Sequence, residues 1–409
     1  MMINRTLTIL FILALVISAP RILLAGGPVH GAKAAAMGTA FDAVADDPSA
    51  ILFNPAGLTQ IKGSAAYFGV TALKPSTTYT APLGASETTE SQIFYPFHLY
   101  AASAMETENL VFGVGLYSPF GIGGRKWSTT GPTRYASTES TIATFSVNPT
   151  VAWRVSSRIS VAAGADYMRS DMKMQKMIDQ SALGAGDAET AIKADGAGWG
   201  YNAGVLLFPT EDLRIGLAYR SRITVKYSGT MTIDGLSPLL LGTSQFSSPV
   251  SSTSVFPDIY SLGIAYKPTE RLVLDADVEV VRWSSFKHAD LDIKQEAPPF
   301  ITDSSTPLDW KDSWQYKLGL EYRMSERHFL RCGYAYIKNP VPEQTLEPGN
   351  PDADQHAFSI GTGYQHAPFW LDWFYSYNVY KKRSVQNNIL SGEYESKAQY
   401  LGVSGGISF

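Results

Sequence analysis

Apolar and polar residues alternate along most of the chain after residue 63. Between Leu213 and Tyr227 nearly every second residue is apolar or aromatic, and the residues between them include four basic side chains, Arg214, Arg220, Arg222 and Lys226. A helix repeats every 3.6 residues and cannot hold a period of two, so the pattern predicts β-strands. Ordinary strands have about five or six residues, whereas stretches of about ten with one apolar and one polar face are typical of membrane-spanning barrels.

Fourteen stretches carry this pattern, an even number, as single-chain bacterial barrels have. The predicted strands are residues 64–75, 91–105, 109–118, 140–155, 158–170, 195–208, 212–228, 252–267, 271–284, 310–324, 327–338, 353–366, 369–381 and 394–409. Short turns at 155–158, 209–212, 267–270 and 324–327 alternate with long loops at 119–139, 171–194, 229–251, 285–309 and 339–352. We therefore predict an all-β fold, a fourteen-stranded antiparallel transmembrane β-barrel with periplasmic turns and extracellular loops.

Residues 1–25 have the composition of a secretory signal peptide. An apolar run from Leu7 to Leu24 follows Arg5, is broken by Pro20 and Arg21, and leads into the small residues after Leu24. These features predict cleavage near Ala25 and export. A single membrane anchor is the alternative. An exported protein with this alternation indicates a bacterial outer membrane.

Residues 26–62 do not alternate and are predicted to precede a barrel of residues 63–409. Asp47-Pro48 and Asn54-Pro55 predict turns or helix starts in this segment. Because irregular backbone cannot face lipid, we expect the segment to form a hatch that plugs the lumen. Such a plug argues against an open general porin. A flexible periplasmic tail is the alternative.

Composition agrees with a protein that has one apolar and one polar face. Hydrophobic residues make up 45% of the 409 residues and charged residues 17%, whereas soluble domains carry about a quarter charged residues. The mean hydropathy of −0.05 excludes a bundle of membrane-spanning helices, and the net charge of −4 argues against nucleic-acid binding. With Cys332 alone, no internal disulfide forms.

The segment around Asn54-Pro55-Ala56 resembles a known family. Together with Gly38-Thr39-Ala40-Phe41 and the residues from Ala45 to Leu58, it looks like the N-terminal signature of the outer-membrane long-chain fatty acid and aromatic hydrocarbon transporters of the FadL/TodX type. The resemblance continues through 117–121, 147–155, 216–221, 277–286, 310–314, 330–334, 340–342 and 351–354. Cys332, Thr150 and the long loops depart from the family pattern.

The resemblance implies a barrel closed by an N-terminal hatch, with capture of a hydrophobic ligand by extracellular loops and transfer to an interior pocket. Release is then lateral, through a gap made by an inward kink in the third strand beside Asn54-Pro55-Ala56. The third predicted strand carries Gly113 and Gly115, a composition that permits a kink and weakens the ladder. Ordinary barrel packing of these glycines is the alternative. The terminal Phe409 resembles the signal read by the barrel assembly machinery.

Two predicted loops and the charged strand faces supply candidate ligand contacts. For the extracellular ligand groove we select the apolar and methionine side chains Phe120, Ile122, Trp127, Met172, Met174 and Met177, since methionine adapts to varied apolar ligands. For a carboxylate headgroup we select the basic residues Arg220, Arg222 and Lys317. The alternatives are loop side chains that only order the loop, and lumen charges that neutralise Asp275, Asp277 and Glu279.

The predicted function is passive uptake of hydrophobic small molecules, with long-chain fatty acids first and aromatic or alkyl hydrocarbons second. A polar-solute porin, an outer-membrane lipid hydrolase and a surface adhesin are the alternatives. The six histidines show no metal-binding spacing, and no Gly-x-Ser-x-Gly motif is present, so we expect no catalysis, no cofactor and no metal. The expected partners are the ligand and outer-membrane lipid, without nucleic acid, and we expect a monomer.

Overall fold

A computed structural model of the chain describes residues 30–105 and 109–409. The predicted signal peptide and the first residues of the predicted hatch lie outside the described residues. Within these ranges the chain forms fourteen antiparallel barrel strands and a largely non-strand N-terminal segment. Within the described residues, no helix has the length and apolar character needed to cross a membrane.

The fourteen barrel strands follow one another in chain order, and four of them consist of two pieces. They are Ser64–Thr80, Phe97–Ala104, Leu110–Tyr117 with Ile122–Lys126, Glu139–Ser156, Ile159–Ile178, Ala188–Leu207, Leu213–Arg220 with Ile223–Asp234, Gln245–Phe256 with Ile259–Thr269, Leu272–Val281 with His288–Ile293, Ser313–Arg323, His328–Ile337, Gln355–His366, Phe369–Tyr380 and Gly392–Ser408. Three further short strands, Ser86–Thr88, Ser304–Pro307 and Arg383–Val385, pair with the first, ninth and fourteenth barrel strands respectively.

The helices are all short. The α-helices are Ala32–Ala36 and Pro238–Leu241, and the 3-10 helices are Pro48–Ile51, Pro55–Gln60, Ser181–Leu183, Trp283–Ser285 and Glu343–Thr345. Asp47 and Asn54 cap two of these 3-10 helices, and each is followed by a proline in the first helical position. The turns predicted at Asp47-Pro48 and Asn54-Pro55 therefore begin 3-10 helices.

The sheet closes on itself, which confirms the predicted barrel. The first and last strands pair antiparallel from Ala65↔Ser408 to Thr80↔Glu393. Closure gives every spanning strand two neighbours, so its backbone groups can be paired within the lipid layer. The exposed Phe409 accepts a backbone hydrogen bond from Ser64, which holds the chain end in the wall.

The outward and inward faces follow the alternation read from the sequence. On the thirteenth strand the outward residues Phe369, Leu371, Trp373, Tyr375 and Tyr377 are exposed, and the intervening Asp372, Phe374, Ser376 and Asn378 are buried. Aromatic rings at both ends of this outward face match the girdles expected at the two lipid–water boundaries. Cys332 lies exposed on the eleventh strand.

Several strands extend farther into the predicted long loops than the alternation indicates. The fifth strand ends at Ile178 and the sixth begins at Ala188, so the loop expected at 171–194 is mostly ladder, and Met172, Met174 and Met177 lie on a strand. After Ser170 the burial pattern of the fifth strand becomes irregular although the backbone pairing continues to Ile178. The second strand begins at Phe97 instead of residue 91, directly after Pro96, which has no N–H to donate.

The N-terminal segment, residues 30–61, is almost entirely buried. It contacts strands in widely separated parts of the barrel: the Phe41 amide donates to Asp277 of the ninth strand at 2.8 Å, and Thr59 donates to Ser160 of the fifth at 2.7 Å. A Cβ at Gly38 would lie 2.7 Å from the backbone nitrogen of Tyr334 on the eleventh strand. The segment thus packs closely against inward-facing groups of the wall.

Candidate ligand cavity and wall interruption

The Asn54-Pro55-Ala56 turn is fixed by the side-chain amide of Asn54. Its Oδ1 accepts from the Ala56 amide at 3.2 Å, which caps the 3-10 helix. Its Nδ2 donates to the carbonyls of Asp42 at 2.9 Å and of Val205 at 3.1 Å. A Cβ at Gly204 would lie 2.2 Å from Asn54 Oδ1, so the sixth strand needs a glycine there. The turn is therefore bound to the wall at one defined point.

The third strand is interrupted at Ser118–Gly121. Its first piece, Leu110–Tyr117, pairs with the fourth strand up to Tyr117↔Ser146, and its second piece, Ile122–Lys126, begins pairing at Ile122↔Ala143. Four residues of the third strand therefore face two of the fourth. Gly121 has a φ of 49°, a left-handed conformation that glycine adopts readily.

The interrupted piece turns into the barrel. Phe120 packs with Met168 of the fifth strand, Ile223 of the seventh and Phe256 of the eighth. Its ring centroid lies 5.1 Å from that of Phe256. A residue of the third strand reaches the eighth strand only when its side chain crosses the interior.

Gly113 and Gly115 lie below this interruption, in continuous ladder. Gly113 pairs with Ala102 and Thr150, and Gly115 pairs with Tyr100 and Asn148. The kink is therefore displaced from the position that the glycine pattern predicted. A Cβ at Gly113 would lie 2.9 Å from Ile51 Cδ1, so the absent side chain there makes room for the N-terminal segment.

A cavity of about 250 Å³ lies between the N-terminal segment, the interruption and the opposite wall. Its apolar lining comes from Leu52, Phe53, Pro55, Pro119, Phe120, Ala218, Ile259, Val281 and Trp283. Its polar lining comes from His30, Asp42, Asn202, Tyr219, Arg220, Ser261, Glu279, Gln315 and Lys317. Small-molecule sites combine an apolar lining with polar groups that orient the ligand, and here the two kinds of lining residue are equally represented.

Arg220 lies at the centre of a buried polar network. Its guanidinium donates to Tyr117 Oη at 2.7 Å and to the Leu52 carbonyl at 3.1 Å, and it forms an ion pair with Asp166. Tyr117 also donates to Asn148 at 3.0 Å. Arg220 therefore links the N-terminal segment to the third strand just below its interruption, a role that alternation alone did not reveal.

Lys317 is the second cation of the cavity. Its ammonium donates to Glu279 at 2.9 Å, and an ammonium has three donors. Asp42 lies on the same lining, and burial together with the neighbouring Asp277 carboxylate raises the pKa of Asp42. Arg222, by contrast, does not line this cavity among the described residues: its side chain is 63% exposed and pairs with Asp258 at 2.9 Å.

The six predicted groove residues are only partly brought together. Phe120 and Met172 share one apolar cluster, whereas Trp127 lies in another with Tyr79, Leu346 and Tyr394. Met174 is exposed at 37% and Met177 lies near the upper end of the fifth strand. The side chain of Ile122 lies outside the described residues.

His30 joins the N-terminal segment to the interruption and was not singled out from the sequence. Its Nε2 lies 2.6 Å from the Ser118 carbonyl oxygen. Burial lowers the pKa of His30 to about 4, and the contact with this carbonyl offsets only part of the effect. The neutral ring therefore donates to the third strand where the strand leaves the wall. In the described ranges no group of His, Cys, Asp or Glu side chains is arranged to hold a metal ion.

The comparisons with known proteins agree with this geometry. Residues 13–409 match the family model described as outer membrane protein transport protein (OMPP1/FadL/TodX). The chain belongs to this family. It is therefore an outer-membrane protein of the FadL/TodX type, and the resemblance noted at Asn54-Pro55-Ala56 is confirmed.

Named relatives and solved structures show the extent of the similarity. The long-chain fatty acid transport protein of Escherichia coli O6:H1 is 23% identical over 250 residues, which cover 54% of this chain and 55% of that protein. The match covers 47% of the 47 kDa outer membrane protein of Pasteurella multocida and 78% of a relative from Neisseria meningitidis. This FadL/TodX-type protein has the fold of a Pseudomonas aeruginosa FadL homologue, with a TM-score of 0.83 at 21% identity and coverage of 94% and 100% of the two chains. The P. putida toluene transporter TodX gives 0.76 at 15% identity and coverage of 93% and 98%.

Proposed function

We propose that the protein mediates passive uptake of hydrophobic small molecules, with long-chain fatty acids as the first candidates and aromatic or alkyl hydrocarbons as the second. In this proposal the N-terminal segment acts as the hatch, and ligand leaves sideways through the wall at the interruption of the third strand. The observation that carries the proposal is that Pro119, Phe120 and Gly121 of the interruption line the cavity. The interior site and the weakest part of the wall are thus contiguous.

The charges of the cavity support a carboxylate ligand at Lys317 better than at Arg220. Arg220 already binds Asp166, Tyr117 and a backbone carbonyl. Lys317 donates to Glu279, and within the described residues its other two donors have no recorded hydrogen-bond partner. Arg222 is a candidate only for an external encounter, because it lies exposed above the cavity-lining part of its strand.

Uptake of radiolabelled oleate and toluene tests this proposal, in a Gram-negative host that lacks its own fatty acid transporter. Both ligands are expected to enter above the empty-vector level. The paired variant Lys317→Met with Glu279→Gln removes both charges together, and we expect it to reduce oleate uptake about ten- to a hundredfold and to leave toluene uptake unchanged. If neither ligand entered through the folded wild-type barrel, the proposed function would be wrong. If oleate uptake were unchanged, Lys317 would not bind the headgroup.

Assembly of the barrel through the exposed Phe409, and function as a monomer, remain part of the same proposal. The aromatic side chain of Phe409 is 57% exposed, as a segment read by a partner must be.

A further inference from the structure

The wall between the second and third strands contains little backbone ladder. The described pairs run from Ala104↔Val111 to Leu99↔Leu116 and stop there. If the ladder continued with the same register, the next outward position of the third strand would be Ser118. Its neighbours would be Phe97 on the second strand and, by extension of Tyr117↔Ser146, Phe145 on the fourth.

These two phenylalanines contact each other. Their ring centroids are 6.0 Å apart, within the range of aromatic pairs. The backbones of two strands with an intact strand between them are about 9.5 Å apart, twice the usual spacing. The Phe97 and Phe145 rings are closer than this, so they lean towards each other at the height where the third strand has left the ladder. Phe97 also packs against the interior cluster that contains Leu73, Phe374 and Tyr400.

The third-strand residues next to this level are buried. Ser118 has no exposed surface, and its hydroxyl has no hydrogen-bond partner among the described residues. Leu116, on the outward-facing parity of the third strand, is only 7% exposed, whereas Phe112 on the same face is 48% exposed. The outward face of the third strand is therefore buried at Leu116, next to the level of Phe97 and Phe145, and exposed at Phe112, farther from the interruption.

Cover by side chains differs physically from cover by a ladder. A ladder opens only if backbone hydrogen bonds break in lipid, which is costly. Side chains exchange rotamers without breaking any such bond, and exposed ones do so within nanoseconds. The ring pair can therefore separate while both flanking strands stay in place.

We propose that Phe97 and Phe145 form an aromatic gate over the interruption of the third strand, and that this gate limits the cross-section of the ligand that leaves the barrel. The inference rests on the proposed function, because a lateral gate has meaning only for a ligand that passes through the wall. It adds the two residues that set the size of that passage.

Two ligands with the same headgroup and similar length but different width test the gate. Palmitate is slim, and pyrenyldecanoate carries four fused rings. The double variant Phe97→Ala with Phe145→Ala is expected to raise the uptake ratio of pyrenyldecanoate to palmitate about two- to tenfold, the factor expected when an aromatic pair is lost. Each single variant should give a smaller rise.

Phe358→Ala is the matched control. Phe358 is an outward phenylalanine, 54% exposed, on the continuous ladder between the twelfth and thirteenth strands, and its loss should leave the ratio unchanged. An unchanged or lower ratio in a folded Phe97→Ala, Phe145→Ala variant would overturn the gate. Should the alanine pair not fold, the leucine pair at the same positions carries the same comparison. Wild-type uptake of palmitate above the vector level separates failure of the gate from failure of the proposed function.

Discussion

The fifth and sixth strands and the second and third strands seal the same barrel in different ways. The fifth and sixth are each twenty residues long and pair over their whole length, from Ile159↔Leu207 to Ile178↔Ala188. The second and third pair only from Leu99 to Ala104 on the second strand. Above this ladder the wall depends on side chains, chiefly Phe97, Phe145 and the inward-turned Phe120.

The proposed lateral release requires the wall to open, and the two pairs of strands differ in what an opening would cost. In the fifth and sixth strands an opening would leave many backbone groups unpaired in lipid, at several kcal/mol each. At the interruption those groups are already paired elsewhere: the Ser118 carbonyl accepts from His30, and the Phe120 amide donates to Thr144 Oγ1 at 3.1 Å. A transient opening there costs side-chain contacts only. The N-terminal segment provides the partner that makes the interruption stable.

The largest effect is expected from disrupting the Arg220 network, which binds the N-terminal segment to the barrel wall. Arg220→Met leaves the fully buried Asp166 carboxylate without its cation, and removing one partner of a buried pair costs about 3–5 kcal/mol. We expect the N-terminal segment, residues 30–61, to lose its packing against the barrel wall. Hydrogen exchange of residues 30–61 should then rise steeply, and the barrel should conduct ions in planar bilayers.

Arg222→Met is the matched control for this change. Arg222 follows two residues later, but its side chain is 63% exposed. Without this guanidinium the buried Asp258 carboxylate still accepts hydrogen bonds from Tyr219 Oη and from the backbone N–H of residue 222, so we expect a smaller loss than for Arg220. Equal hydrogen exchange of residues 30–61 in the two variants would mean that the Arg220 network does not hold the N-terminal segment against the interrupted third strand. The contrast between this part of the wall and the fifth and sixth strands would then fail.

A smaller effect is expected from pH, through His30. Burial lowers the pKa of this ring from 6.5 to about 4, so a displaced segment binds a proton more readily than the seated one. The contribution of His30 to the packing of this segment is thus fully present above about pH 6.5 and is lost as the pH falls towards 4. At pH 5.5 the loss is on the order of 1 kcal/mol. Hydrogen exchange at residues 30–36 and 118–121, corrected for intrinsic rates, measures it.

His30→Gln isolates the contribution of this ring. Glutamine keeps a donor for the Ser118 carbonyl but does not titrate, so the exchange difference between pH 7.5 and 5.5 should shrink in the variant. The neighbouring His98, whose ring centroid lies 6.0 Å from that of His30, is unchanged in both proteins. An equal pH response in wild type and variant would show that His30 is not the titrating group.

The alternation of residues was sufficient to predict the barrel and its strand number, because every spanning strand has one lipid face. It could not predict the ends of the fifth and sixth strands at Ile178 and Ala188, because backbone pairing extends the ladder there while both residues pack in an apolar cluster within the region predicted as a loop. It also missed the start of the second strand after Pro96. Local composition predicts the outward and inward faces, but not how far the ladder extends.

The candidate site was predicted in part for similar reasons. Arg220 and Lys317 stood out as charges at lumen-facing positions, and both line the cavity. The strand glycines Gly113 and Gly115 predicted a kink, but the kink lies at Ser118–Gly121. There the third strand has two more residues than the facing part of the fourth strand. Phe97, Phe145 and His30 could not be selected, because their roles depend on contacts between residues 48 and 88 positions apart in sequence.

In the proposed function, ligand leaves through the wall between the second and fourth strands. A covalent tether across this site tests the claim most directly. We would introduce Phe97→Cys and Phe145→Cys into a Cys332→Ser background, because Cys332 is exposed, and join the thiols with a short cleavable bis-maleimide. Phe358→Cys with Tyr377→Cys, register partners on a continuous ladder, forms the control pair.

The measurement is uptake of radiolabelled palmitate before tethering, after tethering and after cleavage of the tether. We expect the tether at positions 97 and 145 to reduce uptake to the vector level, cleavage to restore uptake, and the control tether to leave uptake unchanged. Full uptake through a protein completely tethered at positions 97 and 145 would contradict lateral release at the third strand.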